Sequence, residues 1–594
     1  RMWFLNRLDP ESAVNNIPVV LRLSGVLDVG ALSAALRDVV DRHEVLRTFY
    51  PEVNGVGYQS ILHAADAGEL EVEHVDQAVV ADRVMRLLAT GFDVTGTVPV
   101  RAVLLEISET EHVLVVVVHH IAADGFSMGP LTRDLMTAYT TRMVGAAPQW
   151  AALPVQYADY AVWQREVLGS EDDPESAVSR QLDFWKRALE GLPDQLDLPA
   201  NRNRPAVSSN QGGAHRFVLD RKVHAAVDAT ATAHGATRFM VVHAALSVLL
   251  ARLSGTSDIA IGTPVAGRGE AALDDLVGMF VNTLVLRADV DLGRPFADVL
   301  VGVRTSDLDA FSHVDVPFER LVEVLNPERS QSRHPLFQVM LTFETPQSDT
   351  FALPGLELAP LDIDFAMAKV DLQVTIGEFL DEAGRPAGMS VDLTYATDLF
   401  DESSMRAFGE RLTRVLVAVT ADPSVVVGDV DLLGDEERFL TVKGWNSTNE
   451  PVEASTLTEL FDAQVARTPH VAAVVVEGES LSYAEFAARV RRTARLLIAE
   501  GIGPESLVAV AIGRSLEQLV AVYSVLVAGA GYLPVDPDQP AERSGYILDA
   551  AGPSLVLSTS RDTFEVVGRR SVSVVLLDEV DVSRYSEAPV ADAE

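Results

Sequence analysis

Apolar and polar positions along this chain alternate in the manner of a mixed α/β protein. Residues 113–118 (Val-Leu-Val-Val-Val-Val) form an unbroken, mostly β-branched run, which predicts a strand buried on both faces. Residues 101–107 and 112–119 read as two strands around the polar turn Ser108-Glu109-Thr110-Glu111. Residues 18–24 read as another strand, closed by Gly25. Asp28 can cap the helix that follows, whose Leu32, Leu36, Val39 and Val40 share one face. Gly129-Pro130 suits the start of a helix running to about Arg142, with proline in its first turn.

The alternation resumes from Phe217 to about Leu433, with a helix predicted over 239–252 and a strand over 258–262. Two interruptions precede it: the polar break Glu171-Asp172-Asp173-Pro174 and the irregular stretch 201–213. From Leu457 a separate pattern begins, with strands over 471–477 and 507–512 and helices over 483–500 and 516–528. A chain of 594 residues is too long for one core. The breaks divide it into a first lobe (1–174), a second lobe (175–434), a linker with a short helix (435–455) and a final α/β segment (456–594).

Composition narrows the function classes. A net charge of −39 argues against a nucleic-acid partner, because a phosphate backbone would be repelled. The absence of cysteine excludes disulfides, thiolate metal sites and a cysteine nucleophile, so any thiol chemistry must arrive on a partner. The opening Arg1-Met2-Trp3-Phe4-Leu5 lacks the build of a signal peptide. The apolar stretch 519–535 is interrupted by Gly529, Gly531 and Pro534, as in a buried helix entering a turn rather than a membrane span. No membrane association and a cytoplasmic location are expected.

The candidate chemistry lies at the end of the valine run, in His119-His120-Ile121-Ala122-Ala123-Asp124-Gly125. Side chains alternate along a strand, so His119 and His120 point to opposite faces and cannot serve one site. One is then structural and the other free to orient an attacking group or take its proton. Gly125 permits close backbone approach, and its N–H could help hold an oxyanion. The competing reading makes both histidines hydrogen-bonded core residues. Opposite-facing neighbours without a third ligand argue against a metal. Gly125-Phe126-Ser127-Met128-Gly129 also matches the G-x-S-x-G pattern of serine hydrolases, but six residues separate the valine run from Gly125 where an elbow needs none.

Further segments follow in order: Arg42-His43-Glu44-x-Leu46-Arg47-Thr48-x-Tyr50, Tyr157-x-Asp159-Tyr160-Ala161-Val162-Trp163, Val277-Gly278-Met279-Phe280-Val281-Asn282-Thr283-x-Val285-x-Arg287, Val314-Asp315-Val316-Pro317-Phe318-Glu319, and Arg329-x-x-Ser332-Arg333-His334-Pro335-Leu336-Phe337-Gln338. Together with the His-His element, this ordered set resembles the motifs of condensation domains from nonribosomal peptide synthetases, over residues 1 to about 435. Residues 481–486 (Leu-Ser-Tyr-Ala-Glu-Phe) and 526–537 (Leu-Val-Ala-Gly-Ala-Gly-Tyr-Leu-Pro-Val-Asp-Pro) resemble the first two motifs of an adenylation domain.

The resemblance implies two chloramphenicol-acetyltransferase-like α/β lobes forming a V-shaped pseudo-dimer with a tunnel between them. It implies no directly bound cofactor: upstream donor and downstream acceptor carrier domains would present substrates on 4′-phosphopantetheine. His120 would orient or deprotonate the acceptor amine, with Gly125 beside it. His119 and Asp124 would be architectural, Asp124 paired with Arg287, while Arg42 and Arg47 hold the lobe together near the site. Asn16-Ile17-Pro18, Ile121-Ala122-Ala123 and Gly129-Pro130-Leu131 look like domains accepting a D-configured donor terminus. No phosphate loop follows the adenylation motifs, so the ATP site is expected beyond this sequence, with the remainder of that domain as a partner and no adenylation here. Two alternatives stand beside condensation: a serine hydrolase using Ser127, and a catalytically silent platform for docking or gating carriers.

Overall fold

The computed structural model describes residues 2–344, 355–361, 366–452, 454–562, 564, 566 and 571–591. It divides into two compact units, 1–439 and 440–594.

The first unit is built on two sheets. One has five strands in the order Leu356–Pro360, Asn16–Gly25, Glu111–His119, Val100–Ser108, Glu71–His74. The valine run occupies its centre. Val113, Val115 and Val117 pack on Val80, Val84, Leu87 and Leu88 of helix Val80–Leu88. Leu114, Val116 and Val118 pack on Ala31, Leu32, Ala35 and Val39 of helix Val29–Arg42 and on Ala138 and Tyr139 of helix Met128–Met143. Asp28 caps the former helix through the Ala31 N–H at 2.9 Å.

The other sheet has six strands, ordered Asn282–Asp289, Asp258–Val265, Val339–Glu344, Leu372–Leu380, Pro386–Ala396, Gly212–Leu219. One face packs on helix Arg238–Ser254, in which every residue from Met240 to Ala251 is buried. Burial in a protein core accounts for that helix's apolar length. No single helix among the described residues is long and apolar enough to cross a membrane.

One strand crosses between the two halves of this unit. Leu356–Pro360, reached in sequence after the third strand of the second sheet, pairs antiparallel with Asn16–Gly25 of the first, Leu21 opposite Pro360 and Gly25 opposite Leu356. It covers the backbone edge of that strand, which would otherwise be open to pairing. Gly25 sits at φ +129°, and a Cβ there would lie 2.2 Å from the Gly355 carbonyl oxygen.

The second unit carries a four-stranded parallel sheet, Gly531–Pro534, Leu507–Val510, Leu555–Ser558 and Ser573–Leu576. Helices Tyr483–Ala499 and Leu516–Val527 supply its apolar cover. Ser482 and Glu485 form a reciprocal cap at the start of the former, and Thr456 and Glu459 do the same for helix Leu457–Arg467.

Gly25→Ala should destabilise the first unit by about 1–3 kcal/mol, through backbone strain and displacement of the crossing strand. A lowered urea midpoint for that unit's unfolding transition would be the readout.

Candidate active site

The site is a turn held by one buried carboxylate. Strand Glu111–His119 ends with the His119 N–H donating to the Pro99 carbonyl at 2.8 Å, and the His120 N–H donates to the Asn15 carbonyl at 2.8 Å. The chain then turns through Ala122 and Ala123, both buried, to Asp124, which caps the short helix Gly125–Ser127. Asp124 is fully buried. Its Oδ1 accepts from the Ser127 N–H at 2.8 Å, the Ser127 hydroxyl at 2.7 Å and Arg268 Nη2 at 3.1 Å. Its Oδ2 accepts from the backbone N–H groups of Phe280 at 2.9 Å and Val281 at 3.1 Å. A buried charge is tolerated only when its lone pairs are satisfied in this way.

The two histidines separate as strand alternation requires. His119 lies on the face of Val113, Val115 and Val117, edge-on to Phe92 with ring centroids 6.0 Å apart. Its Nδ1 accepts the Ile121 N–H at 3.1 Å, which leaves the proton of the neutral ring on Nε2. His120 differs: its Nδ1 is sealed from solvent and has no hydrogen-bond partner among the described residues. Burial, then the charges of His120 and Lys369, push His119 down to about 4. Burial and the Lys369 ammonium push His120 down to about 4, against backbone hydrogen bonding at His120 and Ala123 and the Asp124 carboxylate. Both imidazoles are therefore neutral near pH 7.

Arg287 does not reach Asp124. It sits in strand Asn282–Asp289 and grips Asp258 of the neighbouring strand with both arms, at 2.8 and 2.7 Å, while donating to the Ala188 and Glu190 carbonyls. The partner of Asp124 is Arg268, in the loop between strands Asp258–Val265 and Asn282–Asp289. Arg268 also donates to the Leu273 and Leu276 carbonyls and lies 4.1 Å over the Phe280 ring. The sequence signal is an arginine between Gly267 and Gly269 just ahead of Val277-Gly278-Met279-Phe280. Gly267 has φ +63°, and a Cβ there would lie 2.0 Å from the Phe280 carbonyl oxygen.

Arg42 and Arg47 brace the first lobe through bonds that do not involve His119 or His120. Arg42 donates to Asp134 at 2.8 Å and to the Ala151 carbonyl at 2.7 Å, with Trp150 against its guanidinium. His43 meets the same Asp134 oxygen at 2.9 Å. Burial opposes ionisation of Asp134, but its bonds to His43 and Arg42 hold it below the ordinary carboxylate range. Arg47 donates to the Leu62 carbonyl at 2.6 Å. Two residues that sequence reasoning had not assigned to the site also belong here. The Tyr157 hydroxyl donates to the Met279 carbonyl at 2.9 Å, and Arg133 joins Asp134 at 3.2 Å to Asp275 at 2.7 Å.

Gly125 opens helix Gly125–Ser127 and is exposed, with free space where a Cβ would point. The Ser127 hydroxyl is instead fully buried, committed to Asp124 and to the Gly278 carbonyl at 2.9 Å. That geometry is the reverse of an exposed nucleophile elbow. No cluster of potential metal ligands occurs among the described residues.

Family models match as "Condensation domain" over residues 1–440 and "AMP-binding enzyme" over 461–593. The dimodular nonribosomal peptide synthase of Bacillus subtilis (strain 168) is 44% identical over 98% of this chain, which spans 25% of that protein's length. The isonitrile lipopeptide synthase of Mycobacterium tuberculosis (strain ATCC 25618 / H37Rv) is 41% identical over 99% of this chain and 24% of its own length. Among solved structures, the X-domain from teicoplanin biosynthesis superposes with a TM-score of 0.69 at 36% identity, covering 73% of this chain and 96% of that one. A four-domain nonribosomal peptide synthetase bound to AMP and glycine shares the fold over 97% of this chain and 44% of its own, with a TM-score of 0.82 at 23% identity. The chain thus spans a quarter or less of these two curated relatives.

Arg268→Met should cost about 3–5 kcal/mol, because it strands a buried carboxylate. Arg287→Met, at a pair with partial solvent access, should cost about 1 kcal/mol. Denaturant titration of the two variants reads the difference directly. The lowered histidines add a pH term. Their folded pKa values lie near 4 against 6.5 unfolded, so the folded state binds fewer protons, and stability should fall as pH drops from about 6.5 to 4. His119→Gln should flatten that dependence in thermal melts across the window.

Proposed function

Because this chain belongs to the condensation-domain family of nonribosomal peptide synthetases and continues into the start of an AMP-binding domain, we propose that His120 serves peptide-bond formation between two carrier-tethered substrates. A donor peptidyl or aminoacyl group leaves its phosphopantetheine thioester on an upstream carrier. It is taken by the amine of an aminoacyl thioester on a downstream carrier. What carries the reading is the His120 imidazole: neutral, only partly buried, and held on a turn that Asp124 locks.

An α-amino group ionises near 7.7–8.0, so only about a tenth to a sixth of it is free base at pH 7, and that fraction is what can attack. An imidazole at about 4 is a poor base toward a free alkylammonium ion. It suits a different step. Attack places positive charge on nitrogen and negative charge on oxygen, and the nitrogen becomes far more acidic than it was. The imidazole can orient the amine by accepting its hydrogen bond, then accept the proton as the C–N bond forms. Passing that proton to the sulfur as the C–S bond breaks runs downhill, since a thiol ionises near 8.5. The Gly125 N–H, at the open start of its turn, is our candidate donor to the developing oxyanion. His119 and Asp124 support the turn, as do Arg42 and Arg47 at longer range. From Ile121-Ala122-Ala123 and Gly129-Pro130-Leu131 we further propose a donor with a D-configured terminus.

The test is single-turnover transfer followed by mass spectrometry, with donor carriers bearing L- or D-terminated dipeptides and acceptor carriers bearing each proteinogenic amino acid. Product should form, with D-terminated donors preferred, and His120→Ala should lower its rate about 10²–10⁴-fold. No product from the unsubstituted chain with any pair, or full activity in the variant, would sink the proposal.

A further inference from the structure

Ser127 carries five polar contacts on one hydroxyl. The oxygen can donate its single proton to Asp124 Oδ1 at 2.7 Å or to the Gly278 carbonyl at 2.9 Å. It faces three donors: the Asp124 N–H at 3.2 Å, the Gly278 N–H at 3.1 Å and Arg268 Nη2 at 3.0 Å. A hydroxyl has one proton to give and two lone pairs, so its bonding capacity is exhausted. The residue is fully buried, and no solvent can replace a bond that is lost.

These contacts join two parts of the chain. One is the turn 120–127; the other is the loop 266–281, which reaches that turn from the second sheet and is fastened at successive backbone groups. Gly278 is bound through both N–H and carbonyl by Ser127, Met279 through its carbonyl by Tyr157, and Phe280 and Val281 through their N–H groups by Asp124. Gly278 fits because it lacks a side chain: a Cβ there would lie 2.4 Å from the Tyr157 ring. Asp124 supplies charge and can hold Phe280 and Val281 without help. Among the described residues, only Ser127 hydrogen-bonds Gly278.

Resting on the assignment of His120 above, we propose that Ser127 is a positioning residue for condensation: it pins the His120 turn to the loop 266–281 and so fixes where the imidazole stands. It touches neither substrate nor reacting atoms. Its removal leaves Asp124 paired with Arg268 but frees the turn to shift against the loop, and a misplacement of about 1 Å suffices for a 10²-fold loss of rate.

Three variants test this: Ser127→Ala, which removes the hydroxyl; Ser127→Thr, which keeps it; and Gly278→Ala, which moves the loop from the other side. The measurements are single-turnover rate and half-saturating acceptor-carrier concentration for the most active pair of the panel above. ¹³C-histidine NMR titration of the same proteins follows His120, assigned by its loss in His120→Ala. Ser127→Ala and Gly278→Ala should each lower the maximal rate about 10²-fold while leaving half-saturation within about twofold. They should also move the His120 titration upward as the ring gains water. Ser127→Thr should recover part of the rate. Wild-type rate and titration in a folded Ser127→Ala would overturn the role, as would a loss confined to half-saturation. If Ser127→Ala does not fold, an unchanged rate and titration in Gly278→Ala would overturn it equally. Should His120→Ala retain full rate while the NMR shift appears, the coupling stands and the assignment of His120 fails instead.

Discussion

The carboxylate of Asp124 is the interaction on which the site depends. It is a fully buried negative charge, and such a charge is destabilising unless every lone pair finds a donor. Two donors come from its own turn and three from the loop 266–281. Neither segment could keep its shape without the other. The turn would expose an unsatisfied carboxylate, and the loop would leave the Phe280 and Val281 N–H groups without an acceptor and the Arg268 guanidinium without its counter-charge. Coupling of this kind makes the arrangement cooperative, since partial loss leaves charges worse off than total rearrangement.

Much of this was legible in the residues, for identifiable reasons. The valine run, the Asp28-capped helix and the helix after Gly129-Pro130 follow from short-range periodicity and capping, which packing then reinforces. The separation of His119 from His120 follows from strand alternation alone. The partner of Asp124 did not follow. Arg268 is 144 residues away in sequence, and nothing local distinguishes its charge from that of Arg287, which a cross-strand aspartate claims first. Strand Leu356–Pro360 was equally hidden: it is five residues long, ends in proline and finds its partner over three hundred residues back. Ser127 was legible only in part: its spacing from the valine run argued against a nucleophile elbow, but nothing local showed that the fold uses its hydroxyl as an internal cross-link.

The electrostatics of the turn also explain why two adjacent histidines do not interfere. Each is depressed chiefly by its own burial, and His119 further by the charge of its neighbour. Keeping both neutral removes the repulsion that a protonated pair would suffer in a dry site. The low basicity that results favours a group that binds a neutral amine and accepts a proton late over one that withdraws a proton early. Function and stability are thus served by the same desolvation, and protonation would damage both together.

The strand Leu356–Pro360 bears on how such chains can be recombined. An excision at the polar break near residue 174 looks permissible from sequence, yet it would strip the first sheet of its outermost strand and bare the backbone of Asn16–Gly25. A grafted second half would have to supply a segment in matching register, with a glycine opposite at the close approach to Gly355. Inheritance of the two halves is therefore linked: exchange between related synthetases should succeed with the whole of the first unit as the heritable block, and a hybrid joined inside it would expose a sticky edge.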